Sequence, residues 1–380
     1  MNFALTEEQE TFRRATRAFA EKEIAPIAAE RDETNVYPVE LLQLMANLGY
    51  LGLKFPSEYG GGDGGNLDAA LVFEELAAAS AGITLGIYCH VVLALTAIAR
   101  IGNDDQKRRY LAPGIRAEKI GAFGSTEAGA GSDIAAISTR AARDGDGDGY
   151  VLNGAKLFCT NSPIADFIVL SSVTDATRGG GISLFIVDRG APGLSVSQPI
   201  RTLGMHPAQT AEVVLENVRV PVENRLGEEN RGVPNMLTAF AEGRIVAAAF
   251  AIGIARVAFD LARKYVLDRV QFGQPIARNQ VVQHRLADMD TGIQAARLLT
   301  HQAAWLADHG RPFVKEASQA KVFATEAAAR IAAQAMHLQG AYGYVIESPA
   351  QRYYRDTHVL EIGEGTSEIL RNVIAKQLGL

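Results

Sequence analysis

VQHRLADMDTGIQAARLLTHQAAWL (282–306) decides the fold class. Its apolar groups fall at Val282, Leu286, Met289, Ile293, Ala296, Leu299, Ala303 and Leu306, in steps of three and four. That spacing winds one apolar stripe along a long helix, and a stripe of this kind is buried against other helices in a bundle. The stripe itself signals core packing, not a cofactor.

Toward the N-terminus the texture changes. The runs YVLNG (150–154), DFIVLSSV (166–173), ISLFIVD (182–188) and EVVLENVRVP (212–221) are rich in β-branched and aromatic residues and divided by Gly, Pro and Asp. They predict an antiparallel sheet domain. Residues 6–118 read as helical again. In TEEQETFRRATRAFAEKEIAP (6–26), Thr6 caps, acids fill the first turn and Pro26 is the expected stop. VELLQLMANLGYLGL (39–53) carries a helical period. The expectation is an α+β multidomain chain, with an N-terminal helical domain (1–118), a middle antiparallel β domain (119–228) and a C-terminal four-helix bundle (229–380).

With 380 residues the chain can bury a sizeable core, and 48% hydrophobic with 21% charged residues is ordinary globular composition. The net charge of −6 with scattered basic residues carries no nucleic-acid footprint. Cys89 and Cys159 cannot build a disulfide framework, and no metal-ligand spacing is present. The seven histidines form no HxxxH and no hydrolase order; His284 and His301 read as surface or packing residues of a helix. LAAASAGITLGIYCHVVLALTAIA (76–99) is uncharged and long enough to cross a bilayer. Its Ser, Thr, His and Ala content predicts buried helices instead, with a break near Gly82–Gly86 and no membrane association. The start lacks the basic-then-apolar profile of a secretory signal, so a cytoplasmic protein is expected.

Several short stretches bear on chemistry. EIGEGTSEILR (361–371) sets Glu364 between two glycines just ahead of a helix start. The glycines would let another group approach the carboxylate, yet an acid before a helix N-terminus, with Thr366 or Ser367 as cap, is also favoured by the dipole alone. DGDGDG (144–149) mimics a calcium loop but has Ala155 where a bidentate Glu belongs, so it is expected to be a hairpin turn. YGGGDGGN (59–66) lacks the Lys-Ser/Thr of a nucleotide loop and reads as a flexible connection. GSTEAGAGSD (124–133) reads equally as a plain turn or as small residues and hydroxyls that admit a planar or phosphorylated ligand. In DRVQFGQPIARNQ (268–280), Arg269 is either an exposed joint residue or a fork for a pyrophosphate.

Taken in order, these stretches resemble the acyl-CoA dehydrogenase family over essentially the whole chain. The resemblance implies a FAD enzyme with the three-domain order given above. STEAGAGSD is similar to the family's flavin-contacting segment, with Ala128 where proline is usual. It implies that residues 123–132 wrap the isoalloxazine, naming Phe123, Ser125, Thr126, Gly131 and Ser132, with Ser132 between FAD and the substrate thioester. KLFCTN (156–161) resembles the next flavin motif, with Phe158 against the ring, Thr160 bonding N5 and Cys159 as packing. RVQFGQPIARNQ matches the family's Arg-x-x-Phe-Gly helix start. There Arg269, Phe272 and Gln280 hold the FAD of a neighbouring subunit, implying a homotetramer arranged as a dimer of dimers. HLQGAYGY (337–344) resembles the final FAD segment, bringing in Gly340, but His337 and Ala341 depart from it.

GEGTSEILR then resembles the catalytic segment, which makes Glu364 the α-proton base and extends cofactor contact to Thr366 and Glu368. Gly365 would offer its N–H to the thioester oxygen, and Arg244 joins it on the substrate side. Some relatives carry the base just before the domain-opening arginine. Here that position is Gly243, and Glu242 lies about 100° around the helix, so it should point elsewhere. The implied reaction is trans α,β-dehydrogenation of an acyl-CoA, with the β-hydride passing to flavin N5 and electrons going on to an electron-transfer flavoprotein. Ala241 replaces an aspartate that contributes to CoA binding, and Gly363 replaces a tyrosine beside the base. Branched, larger or carrier-protein-bound acyl groups therefore stay open, as does an oxidase on the same fold.

Overall fold

The computed structural model describes residues 4–145, 147–175 and 181–380. Its N-terminal part is helical: α1 (Glu7–Phe19), α2 (Ala28–Thr34), α3 (Val39–Asn47), α4 (Asn66–Ala79), α5 (Ala81–Tyr88), α6 (Thr96–Ile101), α7 (Asp104–Gln106) and α8 (Ala112–Ile115). Thr6 caps α1 in a full capping box with Gln9. The α-helix ends at Phe19, but the chain keeps winding through a π-helical Ala20–Ile24 and a 3-10 turn, Ala25–Ile27, that accommodates Pro26.

Two expectations for this region are corrected. The break in the uncharged stretch is at Ser80, not at Gly82–Gly86. Ser80 is extended (φ −157°, ψ 111°) and accepts a hydrogen bond from the Ile83 N–H, so a cap rather than glycine freedom starts α5. Residues 59–66 are a packed loop, not a flexible connection. Gly62 N–H donates to the Gly52 carbonyl, Asp63 N–H to Phe55 and Gly64 N–H to Leu53. A Cβ on Gly61 would stand 2.0 Å from the Phe55 carbonyl oxygen, so the glycines are there for close approach.

The middle part is an eight-stranded sheet built from β1 (Gly121–Gly124), β2 (Arg140–Arg143), β3 (Gly149–Thr160), β4 (Phe167–Asp175), β5 (Gly181–Asp188), β6 (Leu194–Val196), β7 (Thr210–Pro221) and β8 (Arg225–Leu226). The order is β6-β7-β3-β2-β4-β5-β8 with β1 beside β4; most pairs are antiparallel, while β4 meets β1 and β2 in parallel. β2 and β3 form the expected hairpin, although Asp146 lies outside the described residues. Strand alternation divides the core. Phe167 and Val169 of β4 join the helical core, whereas Ile168 and Leu170 join Tyr150, Leu152, Phe185 and Val213 in a second core on the other face.

The C-terminal part contains α9 (Gly232–Asp268), a two-residue hairpin of β9 (Val270–Gln271) and β10 (Gln274–Pro275), then α10 (Gln280–Asp308), α11 (Val314–Leu338), α12 (Ala341–Tyr344), α13 (Pro349–Ile362) and α14 (Ser367–Gln377). Helices α9, α10, α11 and α13 pack together, and α4 lies against α9 and α10. Val282, Met289, Ile293, Ala296 and Ala303 of the α10 stripe are buried, as their spacing predicts. Among the described residues two helical stretches are long and apolar enough to cross a membrane, Ala81–Ile101 and Gly232–Asp268, but 89% and 72% of their apolar windows are buried inside the fold.

Candidate active site

The turn between α13 and α14 holds the candidate base. Gly363 N–H closes α13 on the Val359 carbonyl (2.8 Å), and Thr366 Oγ1 caps α14 by accepting from the Ile369 N–H (3.3 Å). Between them Glu364 takes φ 59° and Gly365 φ 96°. A left-handed glutamate is strained, and it persists only where its surroundings fix it. Part of that fixing is an absence. On α9, a Cβ at Gly243 would lie 3.1 Å from Glu364 Oε2 and 3.1 Å from the Tyr88 hydroxyl, so the carboxylate occupies the space that glycine leaves.

The Tyr88 hydroxyl donates to the Gly243 carbonyl (3.0 Å), and Glu364 Oε2 is shut off from solvent without a hydrogen-bond partner. Burial pushes the Glu364 carboxyl up to about 7, against the opposing pull of the Arg244 and Lys321 charges. Both cations grip the same turn through its backbone: Arg244 Nε donates to the Glu364 carbonyl (3.5 Å) and Lys321 Nζ to the Gly365 carbonyl (2.9 Å). Burial in turn lowers the Lys321 ammonium to about 8. The site therefore sets one carboxylate of near-neutral pKa between two buried cations, an arrangement suited to taking a proton from a weak carbon acid.

The β domain supplies the other wall. The 124–133 loop is anchored by Glu127, which accepts from Lys156 Nζ (2.7 Å), Ser138 N–H (2.6 Å), Ser138 Oγ (2.7 Å) and Thr139 N–H (3.0 Å). Those donors hold its carboxyl down at about 2 in spite of burial. Ser125 and Thr126 follow from β1 at the edge of this anchor, while Gly131 and Ser132 lie exposed. A register shift between Lys156 and Cys159 in β3 accompanies Phe158 at φ 56°, and the residue is 59% exposed. Thr160 and Thr210 share a hydroxyl hydrogen bond beside it, and Cys159 is buried in the sheet core. An uncovered aromatic held in a strained conformation next to hydroxyls and an open glycine loop fits a planar ring system, so these residues are compatible with a flavin. Among the described residues no His/Cys/Asp/Glu cluster could hold a metal.

Other predicted site residues lie elsewhere on the chain. Arg269 follows α9, about 26 residues or roughly 39 Å along the helix from Gly243. Its guanidinium lies 5.9 Å from the Tyr342 ring centroid, and Phe272 stands fully exposed at the hairpin tip at φ 55°. Gln280 opens α10, and Gly340 (φ 58°) follows α11. The length of α9 thus sets Arg269 and the hairpin after it apart from Glu364 within one chain. Glu242 points away as expected, its carboxylate pairing with Lys54 (2.8 Å) and Arg100. Thr366 spends its hydroxyl on the α14 cap, and Glu368 is exposed in the first turn.

Sequence reasoning missed Tyr88, Lys321 and the Glu127–Lys156 pair. Lys321 had a signal, since it lies with Ala317, Ala324 and Ala328 on one helical face, all of them buried. Tyr88 had none, because its partner Gly243 is 155 residues away.

Three family models, described as the acyl-CoA dehydrogenase N-terminal, middle and C-terminal domains, match residues 6–118, 122–218 and 230–379. The chain belongs to the acyl-CoA dehydrogenase family. It is an oxidoreductase of that flavoprotein family. Among its relatives are the 3-(aryl)acrylate reductase of Clostridium sporogenes (44% identical, 98% of this chain and 99% of the relative) and the short-chain-specific acyl-CoA dehydrogenase of Clostridium acetobutylicum (41%, all of both chains). The butyryl-CoA dehydrogenase of Megasphaera elsdenii superimposes with a TM-score of 0.96 at 38% identity, covering all of both chains.

Proposed function

We propose that this acyl-CoA dehydrogenase oxidises an acyl-CoA thioester to the trans-2-enoyl-CoA with Glu364 as the α-proton base. The carrying observation is the solvent-shielded, unpartnered Glu364 Oε2, with a carboxyl pushed up to about 7. A thioester α-proton is a far weaker acid than a solvated carboxylic acid. Desolvation raises the base toward it, and a hydrogen bond to the thioester oxygen from Gly365 N–H lowers the carbon acid from the other side. Glu364 Oε2 takes the α-proton; the C–H bond pair becomes the new C=C bond. FAD, when bound, supplies the two-electron acceptor for the β-hydride.

Phe123, Ser125, Thr126, Gly131, Ser132, Phe158 and Thr160 would hold the flavin ring, with Thr366 and Glu368 at the α14 N-terminus. Arg269, Phe272, Gln280 and Gly340 would serve the flavin of a neighbouring subunit in a homotetramer. Ser132 and Arg244 complete the substrate side, an electron-transfer flavoprotein is the proposed acceptor, and the cytoplasm the proposed location. The substrate range is left wide by Gly363, where an added Cβ would meet only the Val359 carbonyl oxygen at 3.4 Å. That open space favours, as a second reading, a bulky or carrier-protein-bound acyl group; an oxidase would be recognised by rapid reaction of the reduced enzyme with oxygen.

The test is Glu364→Gln, assayed anaerobically with butyryl-CoA. The variant is expected to stay yellow and lose turnover by at least about a thousandfold. Near-normal turnover would overturn the assignment of the base. A wild type that keeps its colour with butyryl-CoA but bleaches with a branched or carrier-bound acyl group would select the second reading.

A further inference from the structure

Two lysines have side chains wholly inside the protein. Lys156 pays the desolvation of its ammonium with the Glu127 carboxylate at 2.7 Å. Lys321 makes no ion pair among the described residues; its Nζ donates to one backbone carbonyl, that of Gly365. A neutral donor would serve as a mere anchor there at far lower desolvation cost. The charge makes sense through its surroundings. Facing Glu364 are Arg244 from α9, Tyr88 and Cys89 from the α5 helix and its continuation, and Lys321 from α11; the carboxylates of Glu361, Glu326 and Glu368 act on Lys321 as well. Among the charges that act on Glu364 itself, Lys321 and Arg244 leave one positive charge in excess while the carboxylate is ionised. Once Glu364 takes a proton the excess is two, facing whatever negative charge grows on the substrate.

We propose that Lys321 is a positioning residue for the dehydrogenation: its ammonium pins the Gly365 carbonyl, fixing the turn that carries both Glu364 and the Gly365 N–H, and its charge keeps the Glu364 carboxylate ionised and favours the enolate-like thioester oxygen. This rests on Glu364 being the base. Geometry and charge are separable, because glutamine at 321 keeps a donor without charge and methionine keeps neither.

The experiment compares wild type, Lys321→Gln, Lys321→Met and Glu364→Gln as FAD-loaded enzymes with butyryl-CoA. Removing a nearby cation raises a carboxyl pKa, so the acid limb of the kcat/KM profile should move to higher pH by about one unit in both lysine variants. kcat should fall about 10- to 100-fold, with KM changing less. Amide deuterium exchange of residues 363–368 should rise about tenfold in Lys321→Met and stay near wild type in Lys321→Gln. If one variant fails to fold, the other still gives the pH limb. An acid limb that stays in place overturns the electrostatic role, and unchanged exchange in Lys321→Met overturns the pinning. If Glu364→Gln is inactive while both lysine variants keep the wild-type limb, this inference alone fails; an active Glu364→Gln removes the base assignment beneath it.

Discussion

Glu364 is held in a left-handed conformation with one carboxylate oxygen lacking any partner, and that combination costs stability at neutral pH. Its carboxyl is raised from 4.5 to about 7 in the folded protein, so the folded state binds the proton more tightly than the unfolded chain. The stability gained by protonation is fully present below about pH 4.5 and is lost as pH rises through about 7. Glu364→Gln removes this dependence. Relative to wild type it should gain little at pH 5 and up to about 3 kcal/mol at pH 8, read as a Tm difference that widens with pH and then levels off. A difference that is flat or shrinks over that range would contradict the raised pKa. The same titration predicts that wild-type kcat/KM falls below about pH 7, where the base is already protonated.

At the scale of elements, helix α4 approaches α9 so closely that a Cβ on Gly253 would lie 2.2 Å from the Glu74 carbonyl oxygen. Backbone on one side leaves nothing to rotate away, so Gly253→Ala must push the helices apart. It should cost about 1–3 kcal/mol, measured by thermal unfolding, and lower kcat as well, because α4 leads through Ser80 into the helix that carries Tyr88. A variant with unchanged Tm would show that the crossing relaxes freely. Local signals made elements of this kind legible: spacing for the α10 stripe, residue type and first-turn acids for the Thr6 cap, and β-rich runs between Gly, Pro and Asp for the strands. What stayed hidden were features set by partners distant in sequence. The 59–66 glycines read as freedom, but Phe55, Gly52 and Leu53 turn them into a close-packed loop. The helix break followed a serine cap, not the nearby glycines. Lys321 was visible as the one charge on an alanine face, yet its function depends on a turn 44 residues later.

For the whole molecule, the length of α9 separates two functions. Gly243, near its start, touches the base, while Arg269 follows its far end, about 39 Å on. Phe272 stands fully exposed there, Tyr342 lies exposed beside Arg269, and Tyr344, Val345 and Ile346 follow it exposed in sequence. If Arg269 grips the flavin of a neighbouring subunit, each complete site takes Glu364 from one chain and Arg269 from another. Arg269→Ala should then lower FAD occupancy, and Glu364→Gln should abolish turnover, when each is made alone. Coexpressed and purified as mixed oligomers through two different affinity tags, they should regain activity. The chain with Glu364 receives its arginine from the chain with glutamine, so roughly half the sites of a one-to-one mixed pair are intact. An arginine serving its own chain predicts no recovery beyond the Arg269→Ala level. Activity per bound flavin in the mixed species, compared with each parent, separates the two, because only exchange between chains can rebuild a site from two broken ones.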